Sequence, residues 1–248
     1  MLNSAGDHAK VAEQGLILNR FMDTLSRLGR PLSCNANILD FGCGAGNMVR
    51  AMTNAGFNAY GFDIALTDDP NTNELISSGI VRTIHSTKNY QLPFSDNTFD
   101  VIISNQVFEH VQDYDVAIRE IARILKPDGI SLHMFPSRYV PVEPHVYVPL
   151  ATIWQNYGWL RLWASLGIRN EYQVGFSAIE TTRKNFEYLR NSTNYLTRRH
   201  IASAFAKHFD TVDFVEKEFY RRFCIFLPMA RLISAFRSRV VYTEGPRK

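Results

Sequence analysis

Residues 37–56 read NILDFGCGAGNMVRAMTNAG: an apolar run closing on Asp40, glycines at 42, 44 and 46, then a stretch with helical spacing. Without a Cβ, Gly42, Gly44 and Gly46 let the chain turn tightly and let a ligand rest on bare backbone. The helix that follows offers unpaired N–H groups at its start. In an open parallel sheet, ligands gather at the carboxyl ends of strands, where this loop lies. Its spacing separates cofactors. A dinucleotide fingerprint counted from Gly42 and Gly44 needs its third glycine where Asn47 stands, and a phosphate-cradling loop needs a Gly-Lys pair that is missing. What remains is Asp-x-Gly-x-Gly-x-Gly, in which Asp40 suits a ligand bearing an ammonium group better than a pyrophosphate. A plain strand-to-helix turn is the alternative for the glycines alone.

Outward from this loop, strands and helices alternate. An amphipathic helix over residues 8–28 leads, with Val11, Leu16, Leu18, Phe21, Met22, Leu25 and Leu28 at helical spacing, and ends near Gly29 and Pro31. After NILDF and a helix over 46–55, NAYGFDI is a second strand, and a short helix runs through Ser78. GIVRTIH and FDVIISN are the third and fourth strands, residues 113–126 form a helix stopped by Pro127, and GISLHMF is the fifth strand. This alternation predicts a doubly wound, Rossmann-like α/β sheet, mostly parallel and covered on both faces. RRHIASAFAKHF reads as a further helix, TVDFVEKEF and RRFCIFLP as a closing antiparallel pair, and ARLISAFRSRV as a basic amphipathic helix. Asp63 ends the second strand, where a carboxylate can accept bonds from both hydroxyls of a ribose.

Composition shifts at Pro136. Four of the ten prolines lie in FPSRYVPVEPHVYVP, and all three tryptophans (Trp154, Trp159, Trp163) follow before residue 200. One domain over residues 1–248 is therefore expected, with a leading helix (1–30), a cofactor-binding core (31–136), an aromatic-rich helical insertion capping the substrate (137–200) and a closing segment (201–248). A chain of 248 residues with 46% apolar and 21% charged residues can bury a substantial core. The net charge of +3 is too small to argue for nucleic acid, and no basic stripe with interleaved aromatics is visible. Cys34, Cys43 and Cys224 are odd in number, far apart and without a Cys-x-x-Cys pair, which argues against a disulfide framework or a zinc site and leaves a reducing cytoplasm as the default. No secretory leader or run of roughly 20 apolar residues is visible.

ILDFGCGAGN, GFDIA, LPFSDNTFDVIISNQVFEHV and REIARILKPDGISLHMF occur in an order that resembles the class I S-adenosylmethionine-dependent methyltransferases, in their small-molecule branch. The resemblance covers residues 38–135. It implies S-adenosyl-L-methionine as cofactor, with Asp40, Gly42, Cys43, Gly44 and Gly46 around its methionine portion and Asp63 at its ribose. It further implies Ile64 against the adenine and Asn105 and Gln106 on the sulfonium side. One position departs from the pattern. Many relatives carry an aspartate about four residues before LPF; here Lys88 and Asn89 stand there, so Asn89 or backbone must accept from the adenine amino group.

Methyl transfer to oxygen or nitrogen also requires loss of a proton, which directs attention to histidines and carboxylates. His145 is the first candidate base. It sits in VPVEPHVYVP directly after the fifth strand, and Glu143 could orient its imidazole or bind a polar substrate; both could instead merely brace the loop. His110, in FEHV after the fourth strand, is either a second candidate or a structural helix-start residue. His133 alternates within the fifth strand and belongs to the sheet. No metal-ligand cluster is apparent from spacing, which disfavours a metal-dependent reaction. Tyr139, Tyr147, Trp154, Tyr157, Trp159, Trp163, Tyr172 and Phe176 form either a water-excluding wall for the acceptor or a satellite core. The tail helix, with Arg231, Arg237 and Arg239, either packs on its own domain or meets a membrane or lipid-linked substrate. The sequence thus predicts methyl transfer to a small-molecule acceptor (a glycan, a lipid-linked compound or a secondary metabolite). A cofactor-binding partner protein without turnover is the alternative, and Asn47 counts against a third reading as a nicotinamide oxidoreductase.

Overall fold

Period-two alternation gives NILDF two useful faces. In the computed structural model, which describes residues 4–68, 70–84, 90–220 and 238–247, this stretch is β1 (Asn37–Phe41). Its Ile38 enters a core with Phe21 and Leu25 of α1 (Ser4–Arg27) and Val49 and Met52 of α2 (Asn47–Asn54). Leu39 and Phe41 face the other way, into a second core with Phe108, Ile118 and Ile121. β1 pairs in parallel with β2 (Asn58–Phe62) on one side and β4 (Phe99–Asn105) on the other. The remaining strands are β3 (Val81–Arg82), β5 (Leu125–Pro136), β6 (Phe209–Phe214) and β7 (Ser238–Pro246). Among the described residues the sheet order is β3-β2-β1-β4-β5-β7-β6. β7 runs antiparallel to both neighbours, whereas the dinucleotide-binding order is 3-2-1-4-5-6. The doubly wound, mostly parallel fold with an antiparallel closing strand is as expected.

Four elements differ from the sequence reading. The third strand, which follows α3 (Pro70–Ser77), is only Val81–Arg82, and residues 85–89, which include Asn89 and Lys88, lie outside the described residues. α4 (Tyr114–Ile124) stops three residues before Pro127, because proline disfavours helix at the residue before it and Leu125 instead pairs with Phe99. The segment read as strand TVDFVEKEF is β6 followed by α8 (Glu216–Phe219). The tail helix does not extend to Val240: Ser238 to Val240 belong to β7, where Val240 and Val241 are buried on opposite faces against β5. Residues 221–237, which hold RRFCIFLP, Arg231 and Arg237, lie outside the described residues.

Two polar constructions hold the sheet. His133, fully buried on β5, bonds Ser104 Oγ through Nδ1 (2.8 Å) and Ser131 Oγ through Nε2 (2.9 Å), and Ser131 bonds Thr243 (2.5 Å), so β4, β5 and β7 are stitched together. Burial pushes this imidazole down to about 3 and keeps it neutral. On the opposite flank, Arg123 of α4 donates to the carbonyls of Leu92 and Phe94 (both 2.9 Å), to Asp96 (2.7 Å) and to Glu120 (2.7 Å), while Glu120 accepts from Leu92 N (2.8 Å).

The insertion contains α5 (Tyr157–Ser165) and α6 (Ala178–Ser192), which pack on each other, and α7 (Arg198–Phe205) follows. Trp159 and Trp163 pack against a small core of Val146, Val148, Ala151, Leu160 and Leu189. Tyr139, Tyr147, Trp154, Tyr157 and Tyr172 are exposed.

Candidate active site

The glycine loop folds back on β2: Gly42 N and Cys43 N both donate to Phe62 O (2.7 and 3.0 Å). Gly42 has φ +85°, and a Cβ there would lie 2.3 Å from a methyl of Val107, so only glycine fits. Gly44, at φ +51°, has open space where a Cβ would stand; its backbone is bare, as a cradle requires. Its N–H donates to Asp63 Oδ2 (2.7 Å), and Ala65 N donates to Oδ1 (2.9 Å). Asp63 is therefore aimed by backbone, with acceptor lone pairs left over for hydroxyls. Beside it Ile64 is 58% exposed, an apolar surface that needs a cover.

Asp40 lies beneath the loop at 3% exposure, where burial and then the charge of Asp63 raise its carboxyl to about 7. The thiol of buried Cys43 is pushed up by burial and by the same two carboxylates. At the end of β4, Asn105 Oδ1 is buried with no hydrogen-bond partner among the described residues, an acceptor awaiting a donor. Gln106 follows at φ +58°, held by Gln106 N to Met134 O (2.7 Å), and is exposed. A bare glycine cradle, two carboxylates, an orphaned acceptor and an uncovered isoleucine suit a ligand with an ammonium group, a ribose and an aromatic base.

A cleft of about 910 Å³ joins Gly42, Asp63, Ile64, Tyr90 and Gln106 to His110. At the His110 end, the short 3-10 turn Phe108–His110 after β4 meets the Pro-Val-Glu-Pro-His loop (residues 141–145) after β5. His110 and His145 lie edge to face with ring centroids 5.0 Å apart. His145 Nδ1 is 2.8 Å from Glu143 Oε1, and Tyr195 donates its hydroxyl to the same oxygen (2.6 Å). The other oxygen accepts from the backbone N–H of His145 (2.8 Å) and Val146 (2.6 Å). Glu143 is fully buried; burial pushes its carboxyl up, but the bonds from His145, Tyr195 and Val146 outweigh it and hold it below the usual range. Burial pushes His145 down, yet Glu143 leaves it above an ordinary histidine. His110 is lowered, chiefly by burial, and its Nδ1 donates to Ser192 O (2.7 Å).

His145, Glu143 and His110, expected as one group, are thus brought together, as are Gly42, Asp63, Ile64 and Gln106 along the cleft. Asn89 lies outside the described residues. The insertion reaches the site through Glu143, His145, Tyr188 and Tyr195, whereas its surface aromatics are absent from the described lining of the cleft. Sequence reasoning missed Glu109, buried beside His110 with both oxygens unpaired among the described residues and raised by burial to about 7. An acid adjoining a candidate histidine was its only signal. It also missed Tyr90, in the cleft wall, and Tyr195, which no spacing singles out.

Residues 14–208, well over half of the chain, match a family described as methyltransferase domain. The chain belongs to that family. Among similar curated proteins is a ubiquinone biosynthesis O-methyltransferase of Bartonella tribocorum, 32% identical over 97 residues, or 39% of each chain. A sterol 4-C-methyltransferase of Caenorhabditis elegans is 33% identical over 101 residues, 40% of this chain and 30% of its own. This methyltransferase-domain chain spans about two-fifths or less of the length of those relatives. Two solved structures share its fold. One is a phosphoethanolamine N-methyltransferase of Haemonchus contortus with S-adenosylhomocysteine bound (TM-score 0.52, 17% identity, 90% of this chain and 52% of that one). The other is the YcgJ protein of Bacillus subtilis (TM-score 0.52, 16% identity, 97% and 100% covered). No helix among the described residues is long and apolar enough to cross a membrane.

Proposed function

We propose that this protein transfers a methyl group from S-adenosylmethionine to an oxygen or nitrogen of a small-molecule acceptor. One observation carries the reading: a single cleft runs from Asp63 and Ile64, past Gln106, to His110, so a ribose and base at one end leave the sulfonium facing the imidazoles. Asp40, Gly42, Cys43, Gly44, Gly46 and Asn105 would surround the methionine portion, Asp63 would accept from the ribose, and Ile64 would cover the adenine.

The sulfonium is already activated, so the chain's task is alignment of the acceptor's lone pair behind the methyl carbon. Such positioning supplies roughly 7–11 kcal/mol in the best intramolecular cases. The acceptor's group would sit against His110 and His145, with Glu143 holding the His145 ring in place, and its proton would leave at this cluster. The relatives named above are, by name, a ubiquinone biosynthesis O-methyltransferase and a sterol 4-C-methyltransferase; the acceptor here would be a glycan, a lipid-linked compound or a secondary metabolite.

Calorimetric titration with S-adenosylmethionine and S-adenosylhomocysteine tests the first half, with NAD as control and Asp63→Ala in parallel. Tight binding of the sulfur ligands that disappears in the variant is expected; preference for NAD, or no binding, would sink the proposal. Formation of S-adenosylhomocysteine on a panel of hydroxylated and aminated acceptors tests the second half. Binding without turnover on any of them would favour a regulatory cofactor-binding role.

A further inference from the structure

We infer that Glu109, His110 and His145 form a binding site for one divalent transition-metal ion of zinc-like chemistry. One carboxylate oxygen of Glu109 and one ring nitrogen from each histidine lie within 4.8 Å of one another. Glu109 is 1% exposed, and neither oxygen has a hydrogen bond among the described residues. Its Oε1 is 3.9 Å from His110 Nε2, too far for a hydrogen bond but close enough to share a ligand. Burying an ionised carboxyl without partners is costly, and buried charges are normally paired or coordinate metals.

The imidazoles are prepared for the same task. His110 Nδ1 is tied to Ser192 O at 2.7 Å, which places its proton there and leaves Nε2 with a free lone pair. His145 Nδ1 is tied to Glu143 Oε1 at 2.8 Å, which does the same for its own Nε2. A carboxylate or carbonyl on the far nitrogen is how outer groups fix the tautomer and direction of metal-binding histidines. Glu143 is itself fixed by Tyr195 and by Val146 N. The three ligands come from two chain segments, Phe108–His110 and the Pro-Val-Glu-Pro-His loop, so an ion would also join those segments.

Two imidazoles and one carboxylate select zinc, cobalt or iron over magnesium or calcium, which prefer all-oxygen shells. Three protein ligands leave a coordination position open, the pattern of reactive rather than structural sites. His110 also lines the cleft, so an ion held there would lie at its edge. With both Nε2 lone pairs given to the ion, the ion and not the imidazoles would activate the acceptor: it would take the hydroxyl oxygen, and the O–H proton would pass to solvent as the metal–oxygen bond forms. Metal binding itself is independent of the proposed methyl transfer; this use of the ion rests on it.

The test uses the full chain, stripped with a chelator and titrated with Co2+ and Zn2+, read by the visible cobalt spectrum and by calorimetry. We expect one ion per chain, bound in the micromolar range or tighter. Glu109→Gln and His145→Asn should each weaken it by at least tenfold to a hundredfold, the loss typical even of outer-shell changes, while His200→Asn leaves it unchanged. Circular dichroism confirms that each variant is folded. In the unaltered protein, zinc should shift the ring-nitrogen resonances of two histidines, a readout that needs no variant. Binding weaker than millimolar, no imidazole shift, or affinity unmoved by both Glu109→Gln and His145→Asn would overturn the assignment. Titration with S-adenosylhomocysteine on the same samples reports separately on the methyl-transfer proposal, so either can fail without the other.

Discussion

The two ends of the cleft are built in different ways. At the Gly42–Asp63 end, consecutive residues of two neighbouring parallel strands form the site, and backbone does most of the holding: Phe62 O receives the loop, and Gly44 N and Ala65 N aim Asp63. At the His110–His145 end, groups from three separated stretches converge: Glu109 and His110 after β4, Glu143 and His145 after β5, and the backbone carbonyl of Ser192 at the end of α6 with Tyr195 just beyond it. The first end follows from sheet geometry and suits a cofactor common to many reactions. The second depends on how a particular insertion folds and suits an acceptor that differs from protein to protein.

That contrast can be broken by experiment. His145→Ala should reduce turnover by roughly 10²–10⁴-fold, the range for a positioned proton-transfer group, with S-adenosylhomocysteine affinity retained; a parallel loss of cofactor affinity would show that the two ends are not separable. Asp63→Ala should weaken cofactor binding by about a hundredfold, ~2.7 kcal/mol, because it removes both the ribose acceptor and the anchor of Gly44. Loss of turnover at unchanged affinity would misplace the ribose.

Asp40 gives a pH signature confined to the cofactor end. Its carboxyl is raised from 3.8 to about 7 in the folded chain. The unfolded chain therefore gives up this proton first, and the group costs stability progressively as pH rises from about 4 to 7, on the order of 4 kcal/mol at most. Asp40→Asn should unfold at a higher temperature than the parent near neutrality, the difference vanishing towards pH 4. Cofactor affinity in the parent should climb as pH approaches 7 and then level off, a slope the variant lacks; equal slopes would detach Asp40 from the ligand. The smallest effect expected is that of Tyr195→Phe, which removes one of the four bonds that hold Glu143. It should lower turnover about tenfold through a misdirected His145, as a single lost hydrogen bond to a charged group implies, and raise the pH above which activity levels off, because a carboxylate without that bond holds the His145 proton more firmly.

Legibility in the sequence follows the same division. The glycine spacing, Asp40 and Asp63 are local, and their strand–turn–helix context is written in periodicity, so the loop and the two strand-end carboxylates beside it were readable from the sequence. The sheet order was readable only in part, because nothing in SRVVYTEGP states that it will insert between β5 and β6 rather than continue a basic helix. Period two and period 3.6 both accommodate a short run with alternating arginines, and pairing with β5 decided it. At the acceptor end, PVEPH drew attention through its prolines. The partner of Glu143, Tyr195, is 52 residues away and carries no signal. Beyond its place next to His110, Glu109 is marked only by burial, a property of the packed chain.

The clasp of Arg123 and Glu120 on Leu92, Phe94 and Asp96 has a thermodynamic consequence. The backbone from Leu92 to Phe94, which continues from Tyr90 and Gln91 in the cleft wall, is held by hydrogen bonds internal to the protein. A ligand that covers Leu92 to Phe94 meets backbone already ordered, so for that segment the conformational entropy that disordered loops forfeit on association is already spent during folding. Binding at this face should therefore carry the heat-capacity change of covering surface alone, without the larger decrement that accompanies coupled folding.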